Sequence, residues 1–383
     1  MQTTTYVPES IALAATTTIN LLLAFELGER TWKLGFTVGL GQRPRLRQVP
    51  AGAVDRVLEE ITRAKRRLKL PEDAPVLSCY EAGREGFWLH RYLVAHGVTN
   101  HVVDSSSIEV KRRARHAKTD KLDLAGLLSL LARYLAGDRR AWRVVRVPTV
   151  ADEDARQLHR TWEAVQKDRT RLRCRLQGLL ATQGVRLRIT DAFLEQLATV
   201  RLWDGTPLPP GLTARLTRVW NQLQLLKAQL EELEMTRDAA AVDATTTTGR
   251  YVQRLPTLRG IGPLGARVLA TEIFGWRQLQ NARQLGGLVG LVPAPYQSGD
   301  TTHDQGITRA GNKHVRRLIV QLAWSWRRYQ PTSALTQWYE QKFGRGSRRL
   351  RRIGIVALAR KLLIALWRYV EQGAIPEGAV VKG

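Results

Sequence analysis

Cysteine is nearly absent from this chain, with Cys79 and Cys174 the only two among 383 residues. They lie far apart in the sequence, and neither belongs to a Cys-x-x-Cys motif. The sequence therefore predicts neither a disulfide framework nor a zinc site built from thiolates. This cysteine usage fits a protein of a reducing compartment.

Long apolar runs are missing as well. The apolar stretch from Ile11 to Phe25 is interrupted by three threonines and an asparagine, and no basic residues precede it. Signal peptides begin with a basic segment, and membrane spans need a longer uninterrupted apolar run. We therefore expect neither a signal peptide nor a membrane partner.

Acidic residues are scarce, with 34 Asp and Glu against 60 Lys and Arg, which gives a formal net charge of +26. This excess is far from the charge balance of an ordinary metabolic enzyme. It indicates a polyanionic partner, of which nucleic acid is the commonest. Residues 301–383 alone hold 16 Lys and Arg against 4 Asp and Glu. We expect this C-terminal part to contact phosphate groups.

The N-terminal part of the chain predicts a mixed sheet covered by helices. The apolar runs INLLLAFELG and TWKLGFTVG, joined by a tight link, are typical of a β-hairpin. A basic strand, a helix, the strand APVLSCYEAG, a helix, the strand HVVDSS and a last helix follow. The order β, β, β, α, β, α, β, α indicates an α/β domain over residues 19–150, preceded by a tail over residues 1–18.

Four acidic residues of this domain are candidate metal ligands. Glu26 falls inside or at the end of the first predicted strand and Glu81 at the end of the fourth. Asp120 and Asp123 lie three residues apart at the start of the last helix. In a ribonuclease-H-like sheet the first and fourth strands are neighbours, so the four carboxylates would converge at one edge. Carboxylate oxygens suit Mg²⁺, which can position phosphate oxygens and activate an attacking hydroxyl. The alternative is four solvated surface acids, two of them simply placed near a helix N-terminus.

Two long helices are predicted over residues 151–240. Trp203 to Gly211, with three prolines, would separate them. Apolar residues at heptad spacing favour a coiled coil, either within one chain or between two chains. The first series is interrupted by Arg169, and the two series are Leu158, Trp162, Val165, Leu172, Leu176 and Leu179, then Leu212, Leu216, Val219, Leu223, Leu226, Leu230 and Leu233.

A threonine-rich linker over residues 241–250 and a mostly helical domain over residues 251–383 would complete the chain. Within that domain, Gly260 and Gly262 make a tight turn opening a helix, as in a helix-hairpin-helix element. The backbone N–H groups of such a turn can receive a phosphate. An ordinary glycine-rich helix connection is the alternative.

Ser298 is the candidate nucleophile. Prolines and glycines in residues 290–300 predict a loop that exposes this serine, and a basic cluster follows it. A serine that attacks a phosphodiester must lose its proton, and guanidinium groups or a metal can stabilise the developing charge. A Ser-Gly pair in a loop is also a common turn. We expect nucleic acid to contact Lys118, Gly260, Gly262, Arg309, Lys313, His314, Arg316 and Arg317.

Five segments together resemble the IS110-type insertion-sequence transposases, and the resemblance covers nearly the whole chain in domain order. The KTDKLD stretch and the serine segment are its most specific parts. The segments are AFELGERTWKL, CYEAGREGFWLHRYL, HVVDSSSIEVKRRARHAKTDKLDLAGLL, LPTLRGIGPLGARVLATEI and GLVPAPYQSGDTTHDQGITRAGNKHVRRL.

The resemblance implies a RuvC-like ribonuclease-H fold with Glu26, Glu81, Asp120 and Asp123 at its acidic tetrad and Ser298 as nucleophile. It also implies DNA strand exchange through a covalent serine–DNA intermediate. A structured bridge RNA would pair with donor and target DNA, and the subunits would form a tetramer, a dimer of dimers. In that tetramer the acidic site of one subunit would meet the serine of another. The protein would be cytoplasmic, in a prokaryote, and associated with the nucleoid. The family's first acid is often Asp, whereas this chain has Glu26, which is one methylene longer.

Two other functions are compatible with the residues alone. A RuvC-like nuclease would resolve branched DNA with metal-activated water and would not need Ser298. A non-catalytic nucleic-acid-binding scaffold would need neither the serine nor the acids, and its affinity would depend on salt through the basic C-terminal part.

Overall fold

The apolar runs of the N-terminal part form the strands of one mixed sheet. The computed structural model describes residues 19–108, 120–239, 244–298 and 301–382, and these group into two units that divide after Val147. The predicted tail over 1–18 and Lys118 lie outside the described residues. The first unit contains β1 (Leu21–Leu27), β2 (Thr31–Thr37), β3 (Arg45–Pro50), α1 (Val54–Arg67), β4 (Val76–Glu81), α2 (Trp88–Ala95), β5 (Val98–Val103) and α3 (Asp120–Leu135).

The sheet has the strand order β3-β2-β1-β4-β5. β2 pairs antiparallel with both β1 and β3, and β4 pairs parallel with both β1 and β5. The predicted order of strands and helices and the mixed α/β class are therefore confirmed. β1 is buried on both faces because it lies at the centre: Leu21, Leu23 and Phe25 belong to the cluster with α1 and α2, whereas Leu22 and Ala24 belong to the cluster with α3.

The described residues of the second unit are mostly helical and include one β-hairpin. Short π-helical turns over residues 270–274 and 340–344 extend α8 and α11. Its elements are α4 (Val150–Ala181), α5 (Phe193–Thr199), α6 (Pro210–Ala239), α7 (Thr247–Arg254), α8 (Pro263–Leu269), α9 (Ala282–Val289), β6 (Pro293–Ser298), β7 (Thr301–Ile307), α10 (Lys313–Tyr329), α11 (Ala334–Tyr339) and α12 (Arg348–Gln372).

The two long helices pack against each other within the chain. Leu176 of α4 and Leu216 of α6 are both fully buried in the cluster that these helices share with α5. Near the other ends, the indole Nε1 of Trp162 donates to Glu234 at 3.0 Å. The helices therefore run antiparallel as an internal hairpin, which was one of the two predicted pairings. Coiled-coil pairing between chains stays a prediction.

The threonine-rich segment is partly helical. α7 begins at Thr247, so residues 247–250 belong to a helix although the composition predicts a linker there. The physical reason is the N-cap: the Thr246 hydroxyl accepts a hydrogen bond from the Gly249 N–H at 3.0 Å. Residues 241–243 of that predicted linker lie outside the described part of the chain. No helix in the described ranges combines the length and apolar character that a membrane span requires.

Candidate active site

Two of the predicted acids lie side by side at one edge of the sheet. Phe25 of β1 pairs with Tyr80 of the parallel strand β4, and the next residues in that register are Glu26 and Glu81. Phe25 and Tyr80 are both buried in the cluster with α1 and α2. Because side chains alternate along a strand, both glutamates lie on the opposite face. Both acids are thus at the carboxyl ends of neighbouring strands, on the face that α3 covers.

The cysteine beside Glu81 supports this placement. Cys79 is buried in the cluster formed with α3, two residues before Glu81 and on the same face of β4. Burial raises the pKa of the Cys79 thiol, and the negative charge of Glu81 raises it further. The thiol is therefore neutral and serves as part of the apolar core, not as a nucleophile.

The helix that carries the two aspartates packs on the same face. Leu124 and Leu128 of α3 approach Gly35 of β2, which pairs with Ala24 of β1. Asp120 is the first residue of α3, and the half-buried Asp123 immediately precedes Leu124. The side chain of Asp120 lies outside the described side chains.

The donor chemistry of this edge fits a hard divalent cation. Its four candidate ligands are all carboxylates, and oxygen ligands of this kind suit Mg²⁺. Among the side chains that the structure describes, no three His, Cys, Asp or Glu are grouped closely enough to hold a metal. The fold thus places Glu26 and Glu81 together and puts the helix with Asp120 and Asp123 on their face, while the ligand geometry stays a prediction.

Ser298 lies at the tip of a β-hairpin. β6 and β7 pair antiparallel, with Ser298 opposite Thr301, so this serine immediately precedes the two-residue connection 299–300. The sequence predicts a loop over 290–300, and that prediction is wrong for residues 293–298. Polar residues and two prolines conceal the strand, since proline is tolerated at sheet edges. The side chain of Ser298 is not among those described.

The stem of this hairpin is fixed to the helices on either side. Gly290 ends α9 with φ +66°, and Gly311 precedes α10 with φ +87°. The Asn312 N–H donates to the Leu288 carbonyl at 2.7 Å. The Arg316 guanidinium donates to two further carbonyl groups, including Val289 at 2.9 Å. Arg316, predicted to contact nucleic acid, therefore braces the hairpin.

Replacing Gly311 by alanine is expected to loosen the stem. Its positive φ strains any L side chain, and a Cβ there would overlap the carbonyl oxygen of Leu288. We expect a decrease of about 2 kcal/mol in the free energy of unfolding, which would lower the thermal midpoint of the full chain by roughly 4–8 °C. Gly306 is the matched control, because it has φ +84° and a Cβ there would meet no atom of the described residues within 4 Å. Gly306→Ala is expected to cost about half as much, and equal midpoints for both variants would contradict the stem packing.

A buried carboxylate ties three helical segments together beside this stem. Glu272, in the π-helical turn after α8, is fully buried. It accepts two hydrogen bonds from Arg160 of α4, at 2.8 and 2.9 Å, and one from the Asn312 amide at 2.7 Å. Burial acts to raise the pKa of Glu272. The hydrogen bonds and charge of Arg160, together with the Asn312 hydrogen bond and the Arg156 charge, outweigh burial and hold the pKa below its usual value. The carboxylate is therefore ionised.

Asn312 has a second role at the start of α10. Its side-chain oxygen accepts hydrogen bonds from the His314 and Val315 N–H groups, at 3.0 and 3.1 Å. One side chain thus caps α10 and holds Glu272. Glu272 and Arg160 are not among the site residues that the sequence predicts, although an acid within the apolar run ARVLATEIFGW is a usable signal.

A second carboxylate, Glu163 of α4, contacts two of the residues predicted to bind nucleic acid. Glu163 accepts hydrogen bonds from His314 and Arg317 and lies 3.5 Å from His159. Burial acts to raise the pKa of Glu163, and the His314 hydrogen bond and Arg317 charge lower it to a net value below normal. Of the predicted basic cluster, Arg309, Lys313 and Arg317 are exposed, and His314 and Arg317 contact Glu163.

The glycine turn predicted before α8 is present. Gly262 directly precedes α8, and Gly260 has φ +90°. A side chain at Gly260 would press on Ser325 and Tyr329 of α10, and the Ser325 hydroxyl donates to the Gly260 carbonyl at 2.8 Å. The turn is thus packed on α10, and its contact with phosphate stays a prediction.

Comparison with known proteins assigns this chain to one family. Residues 252–339 match the family described as the transposase IS116/IS110/IS902 family. A protein of Sinorhizobium fredii, named as a candidate transposase, y4rJ, is 38% identical to the chain, and the alignment covers 94% of each chain. The chain belongs to the IS116/IS110/IS902 transposase family. The resemblance found in the sequence is therefore confirmed.

Two further relatives carry transposase names. The transposase for insertion sequence element IS1328 of Yersinia enterocolitica is 31% identical over 60% of this chain and 66% of its own length. The transposase for insertion sequence element IS1111A of Coxiella burnetii is 27% identical over 62% of each chain. The family match from 252 to 339 includes the serine hairpin, Glu272 and Asn312 of this transposase.

Proposed function

We propose that this transposase moves its insertion sequence by RNA-guided DNA strand exchange, with Ser298 as the nucleophile and a Mg²⁺ site at the acidic sheet edge. The observation that carries the proposal is the placement of Glu26 and Glu81 on neighbouring parallel strands, on the face covered by the helix of Asp120 and Asp123. Two unrelated surface acids would have no reason to lie side by side at the ends of neighbouring strands, on the face that α3 covers.

The sheet supports a RuvC-like ribonuclease-H fold for the first unit. Its order β3-β2-β1-β4-β5, with β2 alone antiparallel, is the strand arrangement expected of that fold. Glu26, Glu81, Asp120 and Asp123 would hold Mg²⁺. The metal would polarise a phosphate oxygen and lower the pKa of an attacking hydroxyl.

The serine step conserves the number of phosphoester bonds. The Ser298 Oγ loses its proton and bonds to phosphorus, while the bond from phosphorus to the 3′ oxygen breaks and that oxygen gains a proton. The products are a phosphoserine, in which Ser298 is bonded to the 5′ phosphate of one strand end, and a free 3′ hydroxyl on the other strand end. In the exchanged duplex, a 3′ hydroxyl attacks the phosphoserine and releases Ser298. Because each step trades one phosphoester for another, no external energy source is required.

Guide RNA and assembly are part of the same proposal. The net charge of +26 supports binding of a polyanion, and a structured bridge RNA that pairs with donor and target DNA would supply sequence recognition. We infer a tetramer, a dimer of dimers, in which the acids of one subunit serve the serine of another. Omitting the RNA from a strand-exchange reaction should then abolish exchange.

Replacing Asp120 or Asp123 by asparagine is expected to reduce strand cleavage at least about 100-fold, because a metal contributes several kcal/mol to such a reaction. The measurement uses purified full-length protein, Mg²⁺, guide RNA and labelled DNA carrying the element ends. Asp73→Asn is the matched control, since the exposed Asp73 precedes β4 at the other end of that strand. Cleavage that survives in the Asp120 and Asp123 variants would contradict the metal site.

The same assay separates the two other functions. If the protein were a nuclease that uses water, the Ser298→Ala variant would cleave DNA normally and the Asp120→Ala variant would not cleave it. A binding scaffold would cleave no DNA under any condition, and its affinity would not depend on Mg²⁺.

A further inference from the structure

A basic cleft lies between α10 and the start of α12, apart from the serine hairpin. Its volume is about 290 Å³, near the lower end of small-ligand sites. Trp324 and Arg327 of α10 line it together with Arg348, Arg351 and Arg352 of α12. Among the residues that the structure describes, its lining thus combines four guanidinium groups with one indole and contains no carboxylate.

The positions of the cleft arginines in α12 are electrostatically unfavourable for that helix. Arg348, Arg351 and Arg352 share one helical face, where like charges repel. They also fall in the first two turns, where the helix dipole favours acids, and that first turn contains no acid. In the part of the chain that the structure describes, only Arg327 of this lining has a carboxylate partner, Glu340 at 2.5 Å. An incoming phosphate would relieve this repulsion.

Trp324 is an exposed aromatic ring within this positive surface. Its neighbours Ala323 and Trp326 are fully buried, but 44% of Trp324 is exposed. The Arg327 guanidinium lies 5.9 Å from the Trp324 ring centroid and is itself held by Glu340. The indole is therefore oriented by the protein while much of its surface faces solvent.

We propose that this cleft binds an unpaired nucleotide of single-stranded nucleic acid. The base stacks on Trp324, and the flanking phosphates contact Arg348, Arg351 and Arg352. Grooves for single strands combine positive charge with aromatic stacking in this way. A duplex fits less well because its bases already stack on one another. An unpaired RNA segment and a displaced DNA strand share this chemistry, and the site requires no Mg²⁺ and no strand exchange.

Trp324→Ala is expected to weaken binding of a fluorescent 15-nucleotide single strand by about 5- to 100-fold. Binding is measured by anisotropy with the full-length protein, without Mg²⁺, for oligo(dT), oligo(U) and a duplex of the same length. Duplex binding should change less than about two-fold. Trp324→Phe should retain most of the affinity, since phenylalanine also stacks. Tighter binding of oligo(U) than of oligo(dT) would identify RNA as the ligand of the cleft, and the reverse order would identify DNA.

Matched variants separate the cleft from general effects. Trp203→Ala removes a tryptophan that is 90% exposed outside the cleft, and it should leave the affinity unchanged. Arg352→Ala should weaken binding more than Arg349→Ala, because both remove one exposed charge from the same turn but only Arg352 lines the cleft. Equal effects of Trp324→Ala and Trp203→Ala, or equal losses for single strands and duplex, would overturn the proposal. A failure of the serine chemistry would leave these binding results unaffected.

Discussion

Replacing Glu272 by alanine is expected to lower the stability of the second unit by about 3 kcal/mol, the lower end of the range for removing one partner from a buried ion pair, because the Arg160 side chain is one-third exposed. Arg160 would lose two hydrogen bonds and Asn312 one. The buried Arg156, whose pKa is lowered by burial and by Arg160, would lose a compensating negative charge. The thermal midpoint of the full-length protein should fall by roughly 6–12 °C.

Paired substitutions test whether the loss comes from the unpaired charge. Glu272→Gln keeps the shape of the side chain and should lower the stability less than Glu272→Ala. Adding Arg160→Met to Glu272→Leu should recover part of the loss, because replacing both partners by apolar groups is often nearly neutral. Glu195→Ala, at an exposed acid of α5, is the control and should shift stability by less than about 0.5 kcal/mol. A midpoint for Glu272→Ala equal to that of the wild type would contradict the buried network.

The network also bears on the serine hairpin. Asn312 binds Glu272, caps α10 and donates its backbone N–H to Leu288 at the hairpin stem. Loss of Glu272 would free the Asn312 side chain from one anchor. Stability and the position of the candidate nucleophile are therefore linked through one residue.

The sequence predicted those parts of the fold whose pattern is local. Leu21 to Phe25 form an uninterrupted apolar run because β1 is buried on both faces. The order of strands and helices along the chain followed from such runs. Glu26 and Glu81 could be placed at strand ends for the same reason. The β6–β7 hairpin was missed because β6 contains two prolines and both strands are rich in polar residues, so neither shows an alternation of apolar residues.

Contacts between distant segments could not be predicted from the sequence. His314 and Arg317 belong to a basic cluster that suggests phosphate binding, but their partner, Glu163, lies about 150 residues earlier. Likewise, no local pattern shows that Arg160 meets Glu272, although a single acid in an apolar helix marks Glu272 as unusual. Burial and pairing of charges depend on tertiary packing, which hydrophobic periodicity does not encode.

Ser298→Ala is expected to abolish covalent capture of DNA. Ser298 carries the one hydroxyl that we assign to the attack on phosphorus, and water would leave no protein–DNA bond. The loss should exceed about 1,000-fold, as for removal of other catalytic nucleophiles. Thr302→Ala is the matched control, since Thr302 lies on β7 of the same hairpin and pairs with Gln297, next to Ser298.

The most direct test of the serine mechanism is the covalent adduct itself. Purified protein, Mg²⁺ and guide RNA are incubated with a nicked suicide substrate that releases a short strand after cleavage, and the adduct is resolved under denaturing conditions and mapped by mass spectrometry. We predict an adduct on Ser298 that persists in Thr302→Ala and is lost in Ser298→Ala and Asp123→Asn. The absence of any adduct with the wild-type protein, or an adduct undiminished by Ser298→Ala, would contradict the mechanism.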